Sequence, residues 1–280
     1  MADVSGPDEA ALDVLADEPA DGSDGRSSGG SRGRPVAVDG VTKRFDGGPG
    51  ESVTALETVS IDVSAGEFVC VVGPSGCGKT TLFRIVAGLE QPTSGAVRID
   101  GELVTGPDLD RGMVFQEYGL FPWRTVRGNV AFGLEQGDVS GALCRERTRE
   151  MVDLVGLSGF EDAYPSQLSG GMKQRVGIAR ALAVDPATLL MDEPFGSVDA
   201  QTRGMLQDEL VEIWRETGKT VLFVTHDVRE AVALGDRIVV LSGAPGTVHD
   251  VIDVGLDRPR SRTDVAFAEH VERVLDLITA

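Results

Sequence analysis

The run Gly73-Pro74-Ser75-Gly76-Cys77-Gly78-Lys79-Thr80 sets glycines, one ammonium and one hydroxyl at a spacing suited to holding phosphates. Glycines let the backbone curl until its N–H groups face an anion, and a helix beginning at Lys79 adds partial positive charge. Lys79 is expected between the β- and γ-phosphates, and the Thr80 hydroxyl on Mg²⁺. The flanks agree: Phe68-Val69-Cys70-Val71-Val72 reads as a buried strand before the loop, and residues 81–87 continue as a helix. A glycine turn without a ligand shares the composition but not that order of strand, loop and helix.

Further on, Thr188-Leu189-Leu190-Met191-Asp192-Glu193 is an apolar run ending in two acids. Acids at the end of a buried strand are costly unless they serve a cation or a hydrogen-bond network. Asp192 suits an acid that organises Mg²⁺, and Glu193 a base that orients or deprotonates an attacking water. A solvated turn with two acids is the bland alternative. Kinases, GTPases, helicases and transporters all combine such features, so these two motifs imply nucleotide chemistry without choosing a task.

The elements that must carry these residues alternate strand with helix. Buried strands are predicted at Glu67–Val72, Gly112–Phe115, Thr188–Asp192, Thr220–Thr225 and Arg237–Leu241, helices at Lys79–Gly88, Gly170–Val184, Gln201–Thr217 and Val228–Leu234. That alternation predicts a largely parallel sheet flanked by helices. Weaker alternating stretches, Val36–Val41 and Thr54–Val63, predict a small antiparallel layer. Between Glu117 and Leu168 strand signals vanish and Ala142–Val155 reads as a helix, which predicts a helical insertion.

Leu168-Ser169-Gly170-Gly171-Met172-Lys173-Gln174-Arg175 resembles the LSGGQ-type signature of ABC ATPases, with Met172 in place of the usual glutamine. The resemblance spans about residues 36–255 and implies an α/β P-loop NTPase fold. Its parts would be a RecA-like core, a small antiparallel β subdomain and a helical subdomain at about 117–180. The implied organisation is a disordered acidic tail over 1–34, an ATPase domain over 35–255 and a C-terminal extension over 256–280, helical at its end. ATP and Mg²⁺ are the implied cofactors. Residues of the loop, Gly73, Pro74, Ser75, Gly76, Cys77, Gly78, Lys79, Thr80 and Thr81, would bind nucleotide, as would Ser169, Gly170 and Gly171 of a second copy. Phe45 resembles the aromatic that stacks on adenine, although a core position in an N-terminal strand fits it too. Gln116 resembles the glutamine that contacts Mg²⁺, joining Thr80 and Asp192. Ser197-Val198-Asp199 matches the D-loop, and His226, within Val-Thr-His-Asp, the histidine that reaches the γ-phosphate. Glu193, His226, Gln116 and Lys79 would then be the catalytic set in a head-to-tail ATP sandwich of two subunits.

Tyr118-Gly119-Leu120-Phe121-Pro122-Trp123-Arg124-Thr125-Val126 is similar to a segment of the nitrate, sulfonate and taurine importer ATPases, where the groove for the permease begins. Trp123 could be an exposed protein contact there or pack the subdomain. The resemblance implies an importer subunit with transmembrane permease partners and, indirectly, an extracytoplasmic binding protein. Rival readings are an exporter or lipid-extraction ATPase, a soluble ABC ATPase of DNA repair or translation, and a nucleotide sensor without turnover.

Composition narrows these. The 280 residues carry 45 acidic against 26 basic side chains, a formal net charge of −19, and only four of the basic ones are lysines. Such a surface repels nucleic acid and anionic lipid. It also suits a salt-adapted cytoplasm, the alternative being a GC-rich genome that favours arginine. Three unclustered cysteines predict reduced thiols rather than a disulfide framework. Neither a secretory signal nor a run of 18 apolar residues is evident, so the expected location is the cytoplasmic face of the membrane, as a peripheral subunit.

Overall fold

The computed structural model describes residues 32–48, 51–137, 139–196 and 198–279. At its centre is a six-stranded sheet. Five strands run parallel: β3 (Phe68–Val72), β6 (Arg111–Val114), β7 (Thr188–Asp192), β8 (Thr220–Val224) and β9 (Arg237–Leu241). The antiparallel β10 (Val248–Asp253) closes one edge, giving the order β10-β9-β3-β8-β7-β6. Every residue of β3 and β8 is buried, as expected for parallel strands covered on both faces.

Alternation along these strands divides two apolar cores. Phe68, Cys70 and Val72 of β3 face one core with Val221 and Phe223 of β8 and Leu189 and Met191 of β7. Val69 and Val71 face the other with Leu222, Val224 and Leu190. On that second side lie α1 (Lys79–Val86), contributing Leu82, Phe83, Ile85 and Val86, and a four-stranded antiparallel sheet. Its order is β2-β1-β4-β5, from β1 (Val36–Gly48), β2 (Glu51–Val63), β4 (Ser94–Ile99) and β5 (Glu102–Leu103).

The first core is covered by helices. A group of three, α2 (Val126–Glu135), α3 (Gly141–Leu154) and α4 (Gly170–Ala183), packs together, and α4 also meets β6. The others are α5 (Ala200–Thr217), α6 (Val228–Leu234) and α7 (Val265–Thr279), the last burying Phe267, Val271 and Val274 against the sheet.

Outside the antiparallel layer, expected strands and helices occur within a residue or two of the predicted ends, while β2 begins three residues earlier than expected. Among the described strands and α-helices, four were not expected: α2, β4, β5 and β10. Glycines at 128 and 133 lower helix propensity in α2, but Val126, Val130 and Leu134 form a buried stripe at helical spacing, and Thr125 caps it by accepting from Gly128 N. β10 is an edge strand of mixed exposure, so its pattern is weak. β1 also runs seven residues past Val41, which places Phe45 within it.

Residues 1–31 of the expected acidic tail lie outside the described residues. Its last residues are held in place. Gly33 N donates to Gly218 O, Thr220 Oγ1 donates to Arg34 O, and Arg34 pairs with Asp110 at 2.8 Å.

Candidate nucleotide site

Four functional segments leave the same edge of the sheet, the C-terminal ends of β3, β6, β7 and β8. That is the edge where open α/β sheets bind ligands. The registers Val71↔Val224, Asp192↔Val224 and Val114↔Met191 put their exits side by side.

The loop after β3 is built by its glycines. Gly76 and Gly78 have φ of 81° and 90°, a region that side chains disfavour. At Gly78 a Cβ would also sit 2.6 Å from Leu56 Cδ2 and 2.7 Å from Ala55 O, so the antiparallel layer presses directly on the loop. Lys79 is buried, and its Nζ donates to Gly73 O at 2.8 Å and Pro74 O at 3.0 Å, tying the loop's start to the first turn of α1. Ser75, Gly76 and Thr80 are exposed, Pro74, Gly78 and Thr81 partly so, while Gly73 and Cys77 are buried.

At the end of β7, burial pushes the Asp192 carboxyl up, the Glu193 charge adds to this, and a hydrogen bond from Thr80 opposes it. Asp192 Oδ1 is buried without a hydrogen-bond partner. A carboxylate oxygen left free beside a hydroxyl is a fitting pair of hard ligands for Mg²⁺, which takes one or two protein oxygens together with substrate phosphates. Among the described residues no cluster of three or more His, Cys, Asp or Glu could hold a metal alone.

Glu193 adopts φ 44°, the left-handed region rare for a side-chain-bearing residue. Its N–H donates to Val224 O at 2.8 Å, and its carboxylate Oε2 meets His226 Nδ1 at 3.0 Å. The imidazole, 63% exposed, leans over the edge from the end of β8. Gln116, beyond β6, reaches the same turn: a methyl group at Gly196 would lie 3.3 Å from its Nε2. Lys79, Thr80, Asp192, Glu193, His226 and Gln116 are thus brought to one edge.

Ser169, Gly170 and Gly171 are carried elsewhere. Ser169 caps α4 by accepting from Met172 N at 3.3 Å, and Gly171 packs so closely on α5 that a methyl would stand 2.8 Å from Thr202 Cγ2. Among the described residues no hydrogen bond joins this segment to the phosphate loop. Phe45 is 40% exposed, with Lys43 Nζ 4.8 Å from its ring centroid, so it is not the core residue that was the alternative. Trp123 is 72% exposed, which disposes of its buried reading. Ser197 of the D-loop motif lies outside the described residues; Asp199 caps α5 through Thr202 N.

Two structural supports escaped the sequence reading. Asn129 is fully buried on α2, accepts from Phe121 N and donates to the carbonyls of Phe121, Arg124 and Thr125, fixing the loop that presents Trp123. Its polar side chain on the Val126-Val130-Leu134 side was the available signal. The other support is a buried chain of Thr225, Glu230 and Gln207 behind His226. A Glu in the first turn of α6 and a Gln inside α5 give no sign of meeting.

A phosphate loop at the head of α1, with an acid pair on β7 and a histidine on β8, defines a P-loop nucleoside triphosphatase. The ABC transporter family model matches residues 56–196. The chain belongs to that family, as an ATP-binding and ATP-hydrolysing subunit. It is 53% identical over 243 residues to the uncharacterized ABC transporter ATP-binding protein MJ0412 of Methanocaldococcus jannaschii, covering 87% of this chain and 91% of that one. It is 47% identical over 240 residues to the aliphatic sulfonates import ATP-binding protein SsuB of Bacillus cereus (86% and 94%). With the nitrate import ATP-binding protein NrtD of Synechocystis it shares 50% over 216 residues (76% and 81%). Among solved structures, the dimeric post-hydrolysis state of the ATP-binding cassette MJ0796 bound to ADP and Pi matches at TM-score 0.69 and 36% identity. It covers 79% of this chain and all of that one.

Proposed function

We propose that this subunit energises an importer for a small anion of the nitrate or sulfonate type, working as a pair of identical ATPase subunits on the cytoplasmic face of a membrane permease. The observation that carries the ATPase half of this reading is the convergence of Lys79, Thr80, Asp192, Glu193 and His226 on one sheet edge. The relatives named for sulfonate and nitrate import support the transport half.

In this reading the loop N–H groups and Lys79 hold the phosphates, and Phe45 stacks on the adenine. Mg²⁺, held by Thr80, Asp192 and Gln116, would neutralise charge on the β- and γ-phosphates. Glu193 accepts a hydrogen bond from the attacking water, and its contact with His226 sets the direction of its carboxylate. His226 donates to the γ-phosphate. Positioning and charge stabilisation supply most of the rate. Because Ser169, Gly170 and Gly171 sit on α4, away from the loop, they meet the γ-phosphate only across a second copy. Closure of the pair is then favourable while that phosphate is present, a ligand-driven population shift. The dimeric MJ0796 cassette supports the same arrangement.

The exposed Trp123, on a loop held by Asn129, suits a contact with the permease. Among the described residues no helix is long and apolar enough to cross a membrane, so substrate contact falls to that permease and an extracytoplasmic binding protein. A net charge of −19 fits work in a salt-rich cytoplasm without nucleic-acid partners. A melting series from low to molar salt tests that point, and an unchanged melting temperature rejects it. The decisive experiment is affinity purification of the tagged chain from gently solubilised membranes at high salt. Recovery of a multi-span permease upholds the proposal; soluble partners alone, with none of the chain in the membrane fraction, reject it.

A further inference from the structure

Behind the His226 loop runs a buried polar chain that nucleotide binding does not use. Thr225, Gln207 and Glu230 are 1%, 4% and 4% exposed. Thr225 Oγ1 accepts from Asp227 N at 3.0 Å and donates to Glu230 Oε2 at 2.5 Å. Gln207 Nε2 donates to the other oxygen, Glu230 Oε1, at 2.8 Å. Arg262 Nη2 then donates to Gln207 Oε1 at 2.6 Å. His226 lies between Thr225 and Asp227, so both flanks of its backbone are pinned. Asp227 is held further by capping α6 and by Arg203 Nη1 at 3.4 Å.

A second, independent feature points to Arg262. Its guanidinium lies over Gly204, where a Cβ would come within 2.8 Å of Nη1. Gly204 sits inside α5, where glycine weakens a helix. Its φ is not positive and no turn needs it, so what the glycine supplies is room for Arg262. Arg262 belongs to the segment between β10 and α7. That segment is itself fastened by Arg258 to Asp236 at 2.5 Å and by Arg260 to Val232 O and Gly235 O at 2.6 and 2.7 Å.

We propose that Arg262 is a positioning residue for His226, acting through Gln207, Glu230 and Thr225, so that the C-terminal segment is coupled to the turnover step. The inference rests on the reading of His226 as the γ-phosphate contact. A side chain fully paired on its buried side holds one orientation, and loss of the distal donor leaves Gln207 and then Glu230 free to turn. The effect falls on kcat, because the loop, Lys79 and Phe45 that bind ATP are not part of this chain.

The test is steady-state Mg-ATP turnover of the full chain carrying Arg262→Ala, Gly204→Ala or Arg262→Lys, and Arg262→Ala combined with His226→Ala. Arg262→Ala is expected to lower kcat roughly fivefold with KM within about twofold, as for neighbours in one network. Gly204→Ala should do the same by displacing the guanidinium while melting no lower than the wild type, and Arg262→Lys should restore part of the loss. In the His226→Ala background Arg262→Ala should change nothing. If Arg262→Ala and Gly204→Ala turn over like the wild type while His226→Ala is crippled, the relay is wrong and the histidine reading stands. Equal slowing in the His226→Ala background, or a loss of kcat that appears only with a loss of melting temperature, also overturns the relay. Wild-type turnover by His226→Ala overturns the underlying reading and the relay with it.

Discussion

His226 Nδ1 stands 3.0 Å from Glu193 Oε2, although the two residues leave different strands, β8 and β7. Glu193 makes this contact from a left-handed backbone, with φ 44°. Strain at a non-glycine residue persists only where the surroundings hold it, here through Glu193 N to Val224 O.

Replacing Glu193 by Gln removes the acceptor charge while keeping its size. Turnover is expected to fall about a hundredfold or more, in the range of a lost general base. ATP still binds, so gel filtration with saturating Mg-ATP in high salt should show a trapped dimer. A variant that stays monomeric counts against the two-copy arrangement.

Lys79→Ala acts on the other side of the reaction. Its ammonium holds Gly73 O and Pro74 O, and its loss removes both the charge proposed to face the phosphates and the loop's tie to α1. Nucleotide affinity should drop at least roughly tenfold, since charged hydrogen bonds are the strong ones. Fluorescent-nucleotide titration measures it; an unchanged Kd rejects the role.

Asn129→Ala should lower stability by about 2 kcal/mol, because part-buried backbone groups of the 121–125 loop lose their partners. Thermal melting should report it as a fall of several degrees. The loop carrying Trp123 should also become protease-sensitive, whereas an intact loop would mean that Asn129 does not hold it.

Burial raises the Glu230 carboxyl above its ordinary value, Asp227 adding to this while Thr225, Gln207 and Arg203 oppose it. The folded chain therefore keeps a proton that the unfolded chain has lost, and stability falls as pH rises from the ordinary carboxylate range through the raised value. Glu230→Gln lacks this term. As pH rises above the ordinary carboxylate range its melting temperature should gain on the wild type, by roughly 2–4 °C per kcal/mol of linkage. A constant gap across that rise would contradict the shift.

Much of the site was legible because its signals are local. Gly76 and Gly78 shape the backbone, and Lys79 and Thr80, the proposed phosphate and Mg²⁺ contacts, open α1 directly after them, so spacing alone conveys the motif. Asp192 and Glu193 betray themselves by ending an apolar strand. The relay behind His226 was not legible, since Gln207, Glu230 and Arg262 sit on three separate elements and meet only through packing. α2 was hidden for a different reason: the helix is short and carries two glycines, and its stability comes from the core it joins.

The sequence by itself determined the chemistry available here: a phosphate loop, an acid pair, a signature segment and the alternation that makes a parallel sheet. Those follow from residue type and short-range periodicity, which the chain carries whatever its surroundings. Only the tertiary structure decided which of these meet. Parallel register brings Lys79, Asp192 and His226 to one edge, while α4 carries Ser169 away from it, because distances between segments far apart in the chain are set by how whole strands and helices pack.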